Sequence, residues 1–351
     1  MVRKKLAVVL FNLGGPDSLD AVKPFLFNLF YDKAIINLNN PWRWLLAKLI
    51  SSRRHKKAQG IYSKIGGFSP LLKNTQAQAL ALENELAKQF DCEVKVFITM
   101  RYWYPRVEET TDRVVNFNPD EIILLPLYPQ YSKTTTGSSI KDWNLEAAKK
   151  KINVPTKIIC CYPLLDGYVN TISKILSDKL VEAKRTFPKV RILFSVHGLP
   201  EKIIKEGDPY KFHIEKTAKK IVENAGIQNE DWIVCYQSRV GPVKWIEPFL
   251  IDEIKRAGKD KIPVLVAPIG FVSEHSETLV ELDIDMKLLS EKLGVPAFWR
   301  VPTVSTRDTF IKGLVKMVKD VYNRSEICPQ NIKECEDHYL LCQRRLLNIP
   351  R

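Results

Sequence analysis

The residues of this chain best suited to chemistry gather in its second half. His197 follows the apolar run 191–196 and opens the turn His197-Gly198-Leu199-Pro200, in which Gly198 and Pro200 would hold the ring in one attitude. An imidazole there can accept protons near neutral pH or bind divalent iron or zinc. Further on, Glu274, Glu277, Glu281 and Asp285 are spaced three, four and four residues apart. At ~100° per residue they would fall within an arc of about 80° on one helix face. Their plain alternatives are a loop-bound structural histidine and a solvated acidic face favoured by a helix N-terminus. The acidic row, however, starts where an apolar run ends, beside His275. One histidine facing a row of carboxylates can hold a divalent cation or relay protons outward.

The elements that must position these groups are legible as short apolar runs at 6–12, 94–100, 121–127, 157–161, 191–196, 231–236 and 262–269. Between most of them lie stretches of helical periodicity, such as 73–89, 168–187 and 210–225. Near-continuous Ile, Val and Leu strands separated by helices predict parallel sheets covered on both faces. At ~150 residues per domain, 351 residues make two domains, with the break near 161–167. In such sheets ligands bind beyond the carboxyl ends of the strands. The exits here are Asn12-Leu13-Gly14-Gly15-Pro16, Arg101-Tyr102-Trp103-Tyr104-Pro105, Tyr128-Pro129-Gln130-Tyr131-Ser132, the His197 turn, Gln237-Ser238-Arg239-Val240-Gly241-Pro242, and the segment that carries His275. Aromatics, an arginine, histidines and carboxylates on these edges compose a cleft for a large, flat, mostly apolar ligand with anionic groups.

Several classes are excluded. Charged residues at 27% against 45% hydrophobic ones rule out a disordered chain. No apolar run reaches the ~20 residues of a membrane span, and residues 1–9 carry no signal or transit peptide pattern. A cytoplasmic protein is expected. No dinucleotide fingerprint, phosphate-loop, HExxH, GxSxG or CxxC motif occurs. The net charge of +14 favours an anionic partner. Residues 24–60 are rich in Phe, Leu and Trp and run into Arg53-Arg54-His55-Lys56-Lys57. They make either a helical hairpin with its own core or a lip that covers an apolar ligand or dips into a membrane interface.

Taken together, these exits resemble the ferrochelatases. The matching stretches include Phe11-Asn12-Leu13-Gly14-Gly15-Pro16, Ile65-Gly66-Gly67-Phe68-Ser69-Pro70-Leu71, Met100-Arg101-Tyr102-Trp103-Tyr104-Pro105, Ser195-Val196-His197-Gly198-Leu199-Pro200 and Ser273-Glu274-His275-Ser276-Glu277-Thr278-Leu279-Val280-Glu281-Leu282-Asp283. The resemblance implies an α/β, chelatase-like fold of two similar Rossmann-like domains. Each would be a four-stranded parallel sheet flanked by helices, with a porphyrin cleft between them. The N-terminal domain would span 1–162, with the lip at 24–60, the second 163–325, and a cysteine-containing extension 326–351. The implied reaction inserts ferrous iron, Fe2+, into protoporphyrin IX to give protohaem, releasing two protons. The implied metal-site pair is His197 and Glu277, with Glu274, His275 and Glu281 as a proton relay. Leu13, Ser69, Arg101, Tyr131 and Trp245 match pocket-lining or propionate-side positions. Phe68 and Tyr104 depart from the common glycine and histidine, which bears on the fine shape of the pocket. The rivals are a chelatase acting on coproporphyrin or with cobalt, and a non-catalytic haem or porphyrin carrier. The acidic row speaks against a carrier, which needs no proton path. The positive charge suits the porphyrin's propionates, and no nucleic acid is expected as a partner. The lip suits a porphyrin held at an anionic membrane, with peripheral attachment to the inner membrane.

Cys92, Cys160, Cys161 and Cys235 sit in or beside apolar runs, as reduced core thiols do. Cys328, Cys335 and Cys342 stand instead in a polar tail, with a spacing of seven that could also mark one helix face. Four thiolates are the usual set for a 2Fe-2S cluster. Some relatives of this type carry one on a C-terminal extension with one upstream cysteine. Lys133 occupies the upstream position used in one branch. Cys161 or Cys160, at a strand end, is the expected fourth ligand beside Cys328, Cys335 and Cys342.

Overall fold

The structure is a computed structural model that describes residues 3–323 and 339–342. Eight strands form two sheets: β1 (Lys5–Asn12), β2 (Glu93–Met100), β3 (Glu121–Pro126) and β4 (Thr156–Ile158), then β5 (Arg191–His197), β6 (Trp232–Gln237), β7 (Val264–Pro268) and β8 (Phe298–Arg300). Every pairing is parallel, and the sheets share one order, β2-β1-β3-β4 and β6-β5-β7-β8. Leu6 through Phe11 are completely enclosed, because helices cover both faces of β1. The two halves of the chain thus repeat one topology. β1 and β5 hold equivalent central places, so Asn12 and His197 end equivalent strands.

Two expectations are corrected. β8 is three residues long, too short to stand out from its surroundings as an apolar run. The acidic row is not one helix face. Residues 269–276 form a loop, and only from Glu277 does the chain coil, as a π-helix over Glu277–Met286. The loop ends in a local turn: the Thr278 hydroxyl accepts from the His275 amide at 3.0 Å and donates to its carbonyl at 3.1 Å. Glu274 therefore lies before the helix, and one rotation per residue does not apply to it.

Segment 24–60 belongs to a helical hairpin of α1 (Val22–Tyr31) and α2 (Trp42–Ser63). Trp42 is 67% exposed, and Trp44, Leu45 and Leu49 are also open to solvent. The next helix, α3 (Leu71–Ala87), runs between the halves. The closing helix Asp308–Asn323 returns to pack on it. Leu10, Met100 and Leu127 share one apolar core with Phe194, Val196 and Ile269, which locks the two sheets together. No helix among the described residues is long and apolar enough to cross a membrane.

Candidate active site

In the second sheet the strand order reverses between β5 and β7, and a ligand crevice opens at such a reversal. His197 ends β5 there. A side chain on Gly198 would run into the Trp245 ring and the Gln237 carbonyl, so the turn needs glycine to bring the indole close. The Trp245 ring stands edge-on to the imidazole at 6.3 Å, its own Nε1 donating to the Val240 carbonyl at 3.0 Å.

From the π-helix, Glu277 Oε2 meets His197 Nδ1 at 3.0 Å. Glu281 lies one turn further along. β6 delivers two residues that bind both carboxylates. Gln237 Nε2 donates to Glu277 at 3.3 Å and Glu281 at 3.5 Å. Ser238 Oγ donates to Glu281 at 2.5 Å and lies 3.3 Å from Glu277, and the Ser238 amide donates to Glu281 at 3.0 Å. Ser238 reaches this position through a left-handed backbone, φ 64°. Ser195 donates to Gln237 Oε1 at 2.5 Å, which turns the amide's donors toward the acids. Gln237 and Ser238 stand in a strand exit legible in the sequence, with no acid-binding role assigned to either. Their signal was their place at the exit of β6, but neither residue type announces an acid-binding role.

Burial works against an imidazolium at His197, yet the Glu277 carboxylate, aided by Glu281, outweighs it and raises the histidine above its usual range. Burial likewise opposes charge on Glu277, but His197, His275 and Ser238 hold it well below a free carboxyl. Glu281 moves the other way, raised by burial and by the charge of Glu277. The two neighbouring acids are thus pushed in opposite directions, Glu277 toward the anion and Glu281 toward holding a proton. His197 Nε2 has no hydrogen-bond partner among the described residues and is available to a ligand.

The remaining expected relay groups differ in their surroundings. His275 is buried against Phe271, with Nδ1 at 3.2 Å from the Ser273 carbonyl and Nε2 at 3.9 Å from Glu277. Burial holds its ring below the usual histidine range. Glu274 is engaged elsewhere: Arg300 donates to it at 3.0 Å and the Thr303 amide at 2.8 Å, while the same guanidinium grips Asp283 at 2.5 and 2.7 Å. Asp285 pairs with Lys64 across the cleft at 2.7 Å.

On the N-terminal half, the Leu13 carbonyl accepts from the Tyr102 amide, and Ser69 packs so tightly on Gly15 that a Cβ there would lie 2.4 Å from the serine hydroxyl. Arg101 is ion-paired to Asp32 and Asp142, each at 3.0 Å, and donates to Ser138 at 2.7 Å. It therefore ties the end of α1 to the sheet edge. Tyr131 is 0% exposed and belongs to the join between the halves, where its amide meets His213 Nδ1. Burial and the neighbouring Asp208, Cys342, Cys160 and Cys161 all disfavour its ionisation. Cys342 is 3% exposed, and the sulfurs of Cys160 and Cys161 are 3.5 Å apart. Cys328 and Cys335 lie outside the described residues. Among the described residues no three histidine, cysteine or carboxylate side chains form a closed metal cage.

Comparison with known proteins matches this sequence to one family. The sequence profile of the Ferrochelatase family covers residues 5–321. A ferrochelatase of Rickettsia bellii is 48% identical over 345 residues, 95% of each chain. One of Pelagibacter ubique is 49% identical over 341 residues, 94% of this chain and 98% of the other. One of a Wolbachia strain is 52% identical over 313 residues, 89% of this chain and 98% of the other. Among solved structures, SirB from Bacillus subtilis with Fe3+ has the same fold, with a TM-score of 0.52 at 12% identity over 92% of this chain and 97% of that one. With a family profile spanning both sheets and relatives at nearly half identity along almost the whole chain, this protein belongs to the ferrochelatase family.

Proposed function

We propose that the cleft inserts Fe2+ into protoporphyrin IX to give protohaem, with His197 and Glu277 as the metal-site pair and Glu281 as the first outward proton carrier. The observation that carries this is the 3.0 Å contact between His197 and a deeply anionic Glu277 at the sheet's reversal point. The reaction must strip iron of water and remove two pyrrole protons. Bending the macrocycle exposes its nitrogen lone pairs at a strain of ~1–5 kcal/mol, drawn from contacts to the ring edge. Neutral His197 accepts a pyrrole proton at Nε2, and its imidazolium is stabilised by Glu277. The raised affinity of Glu281 for protons lets it take one on from the pair, and Gln237 and Ser238 keep both acids in place. His275 stands beside Glu277 as a second imidazole of the relay. In this scheme Glu274 anchors the loop through Arg300, one step removed from the proton path. Leu13, Ser69 and Trp245 form walls for the ring, and Arg101, already doubly paired, serves the porphyrin by holding the lip.

Two further parts belong to the proposal. The exposed Trp42, Trp44, Leu45 and Leu49, followed by basic residues, suit the lip to an anionic membrane surface, from which a sparingly soluble porphyrin would come. That apolar lip also favours protoporphyrin over a more carboxylated substrate. The tail thiols suit a 2Fe-2S cluster held by Cys161 or Cys160 with Cys342, Cys328 and Cys335. Cys342 of the tail is buried on the body of the fold, as Cys160 and Cys161 are, which supports the reading. When bound, such a cluster would tie the tail to the body of the fold.

The direct test is iron insertion under anaerobic conditions. His197→Ala is expected to lose activity by about a hundredfold or more, the scale of a general base, while protoporphyrin still binds. Glu277→Gln is expected to behave alike. Activity of His197→Ala above about a tenth of the unaltered enzyme would remove His197 as the essential base or ligand.

A further inference from the structure

The loop that leads into the π-helix is held by α3 of the other half as well as by its own domain. Its Val272 carbonyl accepts from Gln78 Nε2 at 3.0 Å, and its Glu274 carbonyl accepts from Asn74 Nδ2 at 2.8 Å. Gln78 and Asn74 are four residues apart, one turn along the same face of α3. Gln78 is 1% exposed and fully engaged. Its second donor contact is to the Ser305 carbonyl at 3.0 Å, and its Oε1 accepts from the Ser273 hydroxyl at 2.8 Å. A glutamine amide is the neutral group that offers two donors and an acceptor in one plane, and here all three sides are used. Ser305, in turn, has a left-handed backbone and donates its amide to the Val272 carbonyl at 2.9 Å. One side chain thus fixes the metal-site loop at Val272 and Ser273 together with the Ser305 turn bonded to it.

The same helix is also tied to the porphyrin side. Thr75 of α3 accepts from Asn12, the last residue of β1, at 3.0 Å, and Ser69 lies just before the helix against Gly15. α3 therefore spans from the wall of the ring pocket to the backbone on which His275 and Glu277 follow. Resting on the assignment of His197 and Glu277 above, we infer that Gln78 is a positioning residue that sets the metal pair over the porphyrin centre by fixing the 272–276 loop from the opposite domain. It touches neither substrate. Its effect lies in registration, and a misplacement of about 1 Å at a reacting centre costs on the order of a hundredfold in rate.

The test is steady-state kinetics of Gln78→Met, which keeps length and burial but deletes all three bonds. Ser273→Ala, which deletes only the hydroxyl bond, is measured beside it. Gln78→Met is expected to lower kcat about tenfold or more and to raise KM for Fe2+. Binding of metal-free protoporphyrin IX, read by fluorescence, should be unchanged. Ser273→Ala should shift the same parameters in the same direction, by less. An unchanged kcat in Gln78→Met, or porphyrin affinity falling in step with kcat, overturns the inference, since a merely structural role would damage both. If Gln78→Met fails to fold, Ser273→Ala decides: a kcat equal to that of the unaltered enzyme overturns it. His197→Ala separates the two levels. An active His197→Ala removes the metal-site assignment and this inference with it. An inactive one beside an unaltered Gln78→Met overturns the positioning role alone.

Discussion

Glu277 works on His197 mainly through charge. Burial alone would push the imidazole below its ordinary value of 6.5, and the adjacent carboxylate reverses that. In the proposed role His197 must be neutral to accept a pyrrole proton, so activity is expected to rise with pH through its raised pKa, with the acid limb of the rate profile above 6.5. Glu277→Gln keeps the shape and removes the charge. In the metal-free protein its His197 is expected to titrate at lower pH than in the unaltered chain, as followed by the imidazole resonances in NMR. A His197 titration that does not move would mean that Glu277 is not what raises it. Glu281 would also lose its charged neighbour, and its carboxyl should titrate at lower pH in the same variant.

Two elements shape the site, and each departs from a regular helix with a polar rim. The π-helix lets Glu277 and Glu281 reach the same pair of residues at the exit of β6, Gln237 and Ser238, while Asp283 and Asp285 are taken up by Arg300 and Lys64. The α1–α2 hairpin keeps its aromatic contacts at the base, with Phe27 stacked on Tyr31 at 5.4 Å and edge-on to Trp44 at 6.5 Å, yet leaves Trp42 and Leu45 uncovered. Interfacial burial of each such side chain is worth up to about 1.5–3 kcal/mol. Replacing Trp42, Trp44 and Leu45 with serine is expected to weaken co-sedimentation with anionic vesicles and to raise KM for protoporphyrin supplied in them. Unaltered sedimentation and kinetics would leave the hairpin as a self-packed structural unit.

Across the whole molecule the halves are joined by a common core, by α3 and by the polar contacts around Tyr131. The tail returns to that join, where Tyr339 packs on Phe212 at 5.1 Å and Cys342 is buried. A cluster on Cys342, Cys328, Cys335 and Cys161 or Cys160 would fasten tail to body at one point. Protein purified without oxygen is then expected to be red-brown, with about two irons and two labile sulfides per chain. Colourless protein whose tail cysteines alkylate freely would reduce the tail to a plain extension.

Seven of the eight strands, the parallel two-domain plan and the candidacy of His197, Glu277 and Glu281 were legible in the chain, because near-continuous apolar runs mark buried parallel strands and their exits mark the ligand edge. What each polar group faces was not. Glu274 and Glu281 are both glutamates at helical spacing from Glu277. One turns to Arg300 of β8 and the other to Ser238 just past β6, a choice made by segments 26 and 43 residues away in sequence. Gln78 reaches its loop across 194 residues, and an isolated helix shows no trace of that partner. Spacing along a chain restricts which side chains can share a face, but a buried polar group is oriented by whichever donors and acceptors the folded neighbours present, and those neighbours exist only once the two sheets have packed.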